Sequence, residues 1–228
     1  MKQKKSWENL FRKGKINWTI PDIAVINAVQ LFKKRKFKRI LDLGCGRGRH
    51  IVYLAKKNFF VVGSDISATA LSFAQKWLEK EKISNYYLVE HDVIKLPFPD
   101  DYFDAVISIN TIHHNPLNKI KKATFEIRKV LKKKGLFLVT ISSIKDYKFG
   151  IGKRIERGTY VSDKGTIHHF FDENGVRSLF SKFRIIEIKE RSEFNEVKTL
   201  IHKPIVRNIK NKNEKVNVCH WQILAEKV

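Results

Sequence analysis

The chain has 228 residues, 43% of them hydrophobic, and its 16 Phe and 4 Trp can supply a sizeable core. That excludes a disordered chain and a disulfide-stapled mini-protein. Lys and Arg number 46 against 23 for Asp and Glu, a formal net charge of +23; such a field favours anionic partners and says nothing about fold. Cys45 and Cys219 are far apart and lack metal-ligand spacing. They suit a reducing cytoplasm and a chain without structural zinc. No run of about 18 apolar residues occurs, so no membrane span is expected. The basic start, Met1 to Lys5, is not followed by an apolar signal core.

The first 38 residues read as a helical cap. Trp7, Leu10 and Phe11 fall at i, i+3, i+4, and Val25, Ala28, Val29 and Phe32 form a second apolar face, with Pro21-Asp22 as a helix start between them. A dense basic run, Lys33 to Arg39, leads into a short buried strand, Ile40–Leu43, and a glycine turn, Gly44–Gly48. From there helix and strand alternate: helix 51–57, strand 59–63, helix 67–82 with Ser67 as its N-cap, and strand 86–90. A strand over 104–109, a helix over 120–132 and a strand over 136–142 follow, with Gly135 after three lysines as the helix stop. This rhythm predicts a doubly wound, mostly parallel sheet with helices on both faces. Residues 144–171 read as a long irregular segment, followed by a helix over 173–180, a strand over 184–188, a polar loop over 208–215 and a closing strand over 216–225.

In an open α/β sheet, ligands bind beyond the carboxyl ends of the strands at the switch point of strand order. Gly44 to Gly48 lies there, and its glycines let backbone N–H groups come close to a ligand. Asp65 ends the second strand about 20 residues further on, the spacing of an acid that accepts from ribose hydroxyls. Asp92 ends the third strand, where it can accept from an adenine amino group. The dinucleotide fingerprint G-x-G-x-x-G/A fails at Arg49; the pattern is Asp42-Leu43-Gly44-Cys45-Gly46-Arg47-Gly48, which argues against a nicotinamide dinucleotide.

That D-x-G-x-G-x-G motif resembles the class I S-adenosylmethionine-dependent methyltransferases, in particular the type 11, UbiE-like group. Leu96-Pro97-Phe98-Pro99-Asp100-Asp101-Tyr102-Phe103-Asp104-Ala105-Val106-Ile107-Ser108 is similar to the family's fourth-strand motif, and Lys129 to Leu136 to its passage into strand five, with Lys134 in place of a glycine. The resemblance implies the class I methyltransferase fold: α/β, a doubly wound seven-stranded mostly parallel sheet with a C-terminal antiparallel strand. It implies one domain, with a cap over 1–38, a cofactor core over 39–142, and a lid segment with closing strands over 143–228. It also implies S-adenosylmethionine as cofactor. Gly44, Cys45 and Gly46 would contact the methionine half, with Asn110 helping to hold its amino group through the backbone. Asp65 would hold the ribose and Asp92 and Val93 the adenine, and Asp42, Gly48 and Ile66 would also belong to the cofactor site.

Methyl transfer is an in-line displacement that depends mostly on positioning. A base is needed only where the acceptor must lose a proton, and histidine suits neutral pH. His113 and His114 follow the fourth strand, beside the expected methyl, and His169 lies in the lid; any of the three is a candidate assistant. No carboxylate or cysteine stands near the His pairs at metal-ligand spacing, so no metal is expected. The N-P-P-Y motif of exocyclic-amine methylation is missing, and no strand-end cysteine can serve as a pyrimidine nucleophile. The first expectation is methylation of a small molecule at O, N or S. The second is RNA, because Ser108 to His114 is similar to tRNA wobble-uridine methyltransferases and the basic balance suits phosphate contacts. The third, a non-catalytic scaffold, leaves the three glycines and two strand-end acids without a purpose.

Overall fold

The computed structural model describes residues 2–196 and 215–228. Ten strands and six helices occur among them. The main sheet has seven strands in the order β3-β2-β1-β4-β5-β10-β9. Its parallel part is β1 (Arg39–Leu43), β2 (Phe60–Asp65), β3 (Tyr86–Glu90), β4 (Phe103–Ile109) and β5 (Leu131–Ser142). The long hairpin of β9 (Phe183–Glu196) and β10 (Lys215–Lys227) closes the sheet, with β10 antiparallel to both β5 and β9. Both faces of the parallel part are covered, which is why those strands read as apolar runs.

The helices are set by the local signals in the sequence. In α2 (Ile23–Lys34) the Asp22 side chain caps the start by accepting from the backbone N–H of Ala24; in α4 (Ala68–Lys80) Ser67 does the same for Ala70. α3 (Arg49–Ala55) packs so close to β2 that a Cβ on Gly63 would stand 2.1 Å from Ile51 Cδ1. On one face of the sheet, α2 and α3 build a core around Phe32, Ile40, Leu54 and Ile107. On the other, α5 (Leu117–Val130) and α6 (Glu173–Leu179) build one around Leu41, Ile127, Phe137 and Phe180.

Three expectations are corrected. The fifth helix ends at Val130, and Lys132 to Gly135 belong to the start of β5 rather than to a helix terminus. Lys134 takes the left-handed backbone (φ 61°), a conformation that costs an L-residue more than a glycine. Residues 144–171 are not irregular: β6 (Lys153–Glu156), β7 (Thr159–Val161) and β8 (Ile167–His169) form a small antiparallel sheet. Strands of three or four residues, β6 wholly exposed, leave no alternation to detect. The strand expected over 184–188 runs on to Glu196, because its charged residues lie on a sheet edge where polar side chains are tolerated. Of the polar loop expected over 208–215, all but Lys215 lies outside the described residues.

α1 (Lys2–Arg12) spans the carboxyl side of the sheet. Glu8 accepts from the backbone N–H of Thr69 at the start of α4, Lys4 pairs with Glu90 at the end of β3, and Ser6 donates to the carbonyl of Lys164 in the small sheet. At the opposite, amino end of the strands lies a shallow concavity lined by Arg35, Lys132, Lys133, Lys134 and Arg184, so the dense basic run faces away from the glycine turn. Among the described residues no helix is long and apolar enough to cross a membrane.

Candidate functional site

The strand order reverses between β1 and β4, and a cavity of about 400 Å³ opens at the carboxyl ends of these two strands. Its floor is the turn after β1. Gly44, Gly46 and Gly48 have φ of 77°, 56° and 89°, all in the left-handed region that glycine adopts without penalty. At Gly44 a second constraint applies: a Cβ would meet Thr111 Cγ2 at 2.1 Å. The turn is held by Asp65, whose carboxylate accepts from the backbone N–H of Gly46 at 2.8 Å and of Ser67 at 2.9 Å. Burial, with Asp42 nearby, pushes the Asp65 carboxyl up to about 6 despite those N–H donors.

Asp42 lies beneath the turn, 1% exposed, with Oδ2 lacking a hydrogen-bond partner and 3.7 Å from His50 Nδ1. His50 Nε2 accepts from the backbone N–H of Asp22, so Nδ1 carries the proton that faces Asp42. Two buried carboxylates thus flank the glycine turn. The nearby arginines are directed elsewhere: Arg47 donates to Asn17 at 2.8 Å, and Arg49 donates to the Ile20 carbonyl at 3.0 Å and stands over the Trp18 ring.

The sequence-derived residues divide cleanly. Gly44, Cys45, Gly46, Asp65, Ile66, Asp92, Val93, Asn110, His113 and His114 all line the cavity. Asp42 and Gly48 stand behind its wall, Gly48 with its Cα against Ala74. Asn110 sits at φ 54°, its N–H donating to Thr140 Oγ1 and its Oδ1 accepting from the same hydroxyl, which fixes the chain where β4 ends.

His169 is a correction. It does not line the cavity; its ring is 2.6 Å from Thr159 Oγ1, packs on Phe171, and burial pushes it down to about 4. Neighbouring residues on a strand face opposite sides, so it is His168 that points inward. His113 is buried, and burial followed by the influence of His114, His220, His168 and Lys148 holds it well below the usual imidazole range. It is therefore neutral at pH 7. His114 acts as a latch: its Nδ1 lies 3.0 Å from the Ile167 carbonyl, its ring meets Trp7 edge-on at 4.7 Å, and its carbonyl accepts from Gln3.

Several lining residues carried no sequence signal of a place in the site. Trp7 and Phe11 come from α1, Tyr147 and Lys148 from the turn after β5, and His220 from β10. His220 arrives because the antiparallel register sets it opposite Ser142 at the end of β5. His113, His114, His168 and His220 thereby form one group, with ring centroids 4.2 to 6.2 Å apart from neighbour to neighbour. No set of three His, Cys, Asp or Glu arranged to hold a metal ion occurs among the described residues.

Residues 40–135 match the methyltransferase domain family model. That stretch carries the glycine turn and its flanking strands, and the architecture around it is the class I methyltransferase fold. The fatty-acid O-methyltransferase of Mycolicibacterium smegmatis is 32% identical over 105 residues, covering 45% of this chain and 36% of that protein. The tRNA (carboxymethyluridine(34)-5-O)-methyltransferase of Arabidopsis thaliana is 31% identical over 103 residues, 45% of this chain and 23% of that one. The chain thus spans well under two thirds of the length of these relatives. The structure of the Burkholderia thailandensis 1,6-didemethyltoxoflavin N1-methyltransferase, with 1,6-didemethyltoxoflavin and S-adenosylhomocysteine bound, aligns over 100% of this chain and 88% of that one. Its TM-score is 0.69 at 17% identity, a likeness of fold.

S-adenosylmethionine is the cofactor of this family, and the cavity fits it. The orphaned Asp42 Oδ2 and the Asp65 carboxylate put negative charge beside the turn, where a cationic sulfonium and ammonium gain from it. Ser64 Oγ and His91 Nε2, both buried and without hydrogen-bond partners, line the same wall as sites for ligand polar atoms.

Proposed function

We propose that this chain is an S-adenosylmethionine-dependent methyltransferase whose acceptor is a small molecule. The observation that carries the reading is one continuous cavity running from the glycine turn to the four-histidine group, walled by α1 on its N-terminal side. When bound, the cofactor supplies a sulfonium methyl that an acceptor atom takes by in-line displacement, the electron pair of the C–S bond leaving on sulfur. Asp65 accepts from the ribose hydroxyls, Asp92 and Val93 border the adenine, and Gly44, Cys45 and Gly46 border the methionine. Asn110 holds the amino group through its backbone.

Trp7, Phe11 and Trp18 exclude water from the N-terminal side. His113, with a buried Nδ1 that has no partner, orients the acceptor. Being neutral and a weak base, it is better suited to a hydrogen bond than to storing a proton. His114 keeps α1 and the small sheet closed over the site.

A second reading, methylation of tRNA, draws on the likeness to the Arabidopsis enzyme and on the charge of +23. The charge argument is weakened by placement. Of the basic residues that follow β5 over 145–157, namely Lys145, Lys148, Lys153, Arg154 and Arg157, Lys148 alone lines the cavity, and the dense basic run lies at the far end of the sheet. The test is methyl transfer from tritiated S-adenosylmethionine to a small-molecule cell extract and, in parallel, to bulk tRNA. Label in the first supports the small-molecule reading; label confined to tRNA favours the second.

A further inference from the structure

Resting on the methyl-transfer reading, we propose that the acceptor end of the cavity is an anion site, in which the Lys148 ammonium, with His113, His220 and Tyr147 around it, receives a carboxylate or other oxyanion of the methyl acceptor.

The other cations near this end are paired with carboxylates. Lys145 pairs with Glu190 at 2.6 Å, and Arg191 pairs with Asp22 at 3.0 Å and Glu193 at 3.3 Å. Lys148 lines the cavity and makes no ion pair within 4.0 Å among the described residues; its ammonium stands 5.3 Å from the face of Tyr147 and feels Asp146 only from beyond ion-pair distance. The obvious partner is already engaged. Asp146 uses Oδ1 for the backbone N–H of Lys148 and Oδ2 for that of Cys219, both at 2.9 Å, which fixes its carboxylate below the turn. A partly buried ammonium with no paired carboxylate is costly, and burial outweighs the distant Asp146 and pulls Lys148 down from the usual lysine range. An anion entering the cavity removes that cost.

The rest of the wall has the matching polarity. His113 and His220 are kept neutral by burial, so each offers a ring N–H without adding charge. The Tyr147 hydroxyl is buried and lacks a partner, and burial raises its pKa, so it stays protonated as a donor. An ammonium, a phenol and imidazole N–H groups converging on one space are a donor set for an oxyanion. The acid that lines this end, Glu193, is held by Arg191, while the other acids of the cavity, Asp65 and Asp92, lie at the ends of β2 and β3. A cationic acceptor would face Lys148 with no free carboxylate to offset it.

The test fractionates a small-molecule extract of the source cells by anion exchange into retained and flow-through pools. Each is incubated with the full chain and tritiated S-adenosylmethionine. Calorimetric binding of S-adenosylhomocysteine is measured alongside for every variant. The expected result is label in the retained pool, reduced at least about tenfold in Lys148→Met and largely restored in Lys148→Arg, with S-adenosylhomocysteine binding unchanged. Label arising from the flow-through, or undiminished in Lys148→Met, overturns the anion site and leaves methyl transfer to small molecules standing. No label from either pool, with S-adenosylhomocysteine still bound, overturns the small-molecule reading and the anion site with it. Should the Lys148 variants not fold, Tyr147→Phe decides, since it keeps the ring and removes one donor. Labelling of the retained pool falls several-fold in that variant if the site is right and is unchanged if it is wrong.

Discussion

Thr111 rests against the bare Cα of Gly44, so close that a Cβ there would lie 2.1 Å from Cγ2, and its hydroxyl is 3.3 Å from the Gly44 carbonyl. The end of β4 and the turn after β1 are thereby locked together at the floor of the cavity. Gly44→Ala must move Thr111 as well as accept φ 77°. Gly150, at φ 83° with open space around it, isolates the backbone cost. Gly150→Ala is expected to cost about 1 kcal/mol and Gly44→Ala about 2–4 kcal/mol, with S-adenosylhomocysteine binding lost in the second alone. Urea unfolding and calorimetry on the two variants check this.

The two histidine pairs yield opposite predictions for residues of the same type. His169→Ala removes a buried contact with Thr159 in the small sheet, so it should lower stability by about 1 kcal/mol and leave S-adenosylhomocysteine binding intact. His113→Ala removes the ring that orients the acceptor and should reduce kcat by about ten- to a hundredfold. Because His113 is held far below the usual imidazole range, the pH profile of kcat in the wild type should show no histidine-like step between pH 6 and 7.

Glu226, buried on β10, accepts from Arg35 and Arg184, each at 2.6 Å. Burial alone would push its carboxyl up, but these two cations outweigh it and hold it below the usual value of 4.5. Its contribution to stability is therefore present above pH 4.5 and is lost as pH falls through the depressed value. Glu226→Gln should cost about 1–3 kcal/mol at pH 7, read from denaturant melts, and the cost should shrink at pH 3.

Much of this was legible beforehand because parallel strands and phosphate-free nucleoside sites leave local signals. Ile40–Leu43 announces itself as an apolar run, Gly44 to Gly48 as a turn needing left-handed backbone, and Asp65 by its distance from that turn. The acceptor end was not legible, because its residues meet only through the tertiary fold. His220 reaches the cavity through the pairing of β10 with β5, and Lys148 through a turn pinned by Asp146. His168 and His169 show the limit at its sharpest: adjacent residues of one type, told apart only by which face of a three-residue strand meets the cavity.

The central claim is that the cavity over the glycine turn binds the S-adenosyl group with Asp65 on the ribose. The most direct measurement is titration of S-adenosylhomocysteine into the full chain by calorimetry, in the wild type and Asp65→Ala, at pH 7.5 and pH 5. Since burial raises the Asp65 carboxyl to about 6, it is ionised at the higher pH and largely protonated at the lower. Wild-type affinity should therefore fall about three- to tenfold between the two, and Asp65→Ala should bind at least about a hundredfold more weakly at pH 7.5. Tight binding that survives Asp65→Ala and does not change between the two pH values would contradict the account.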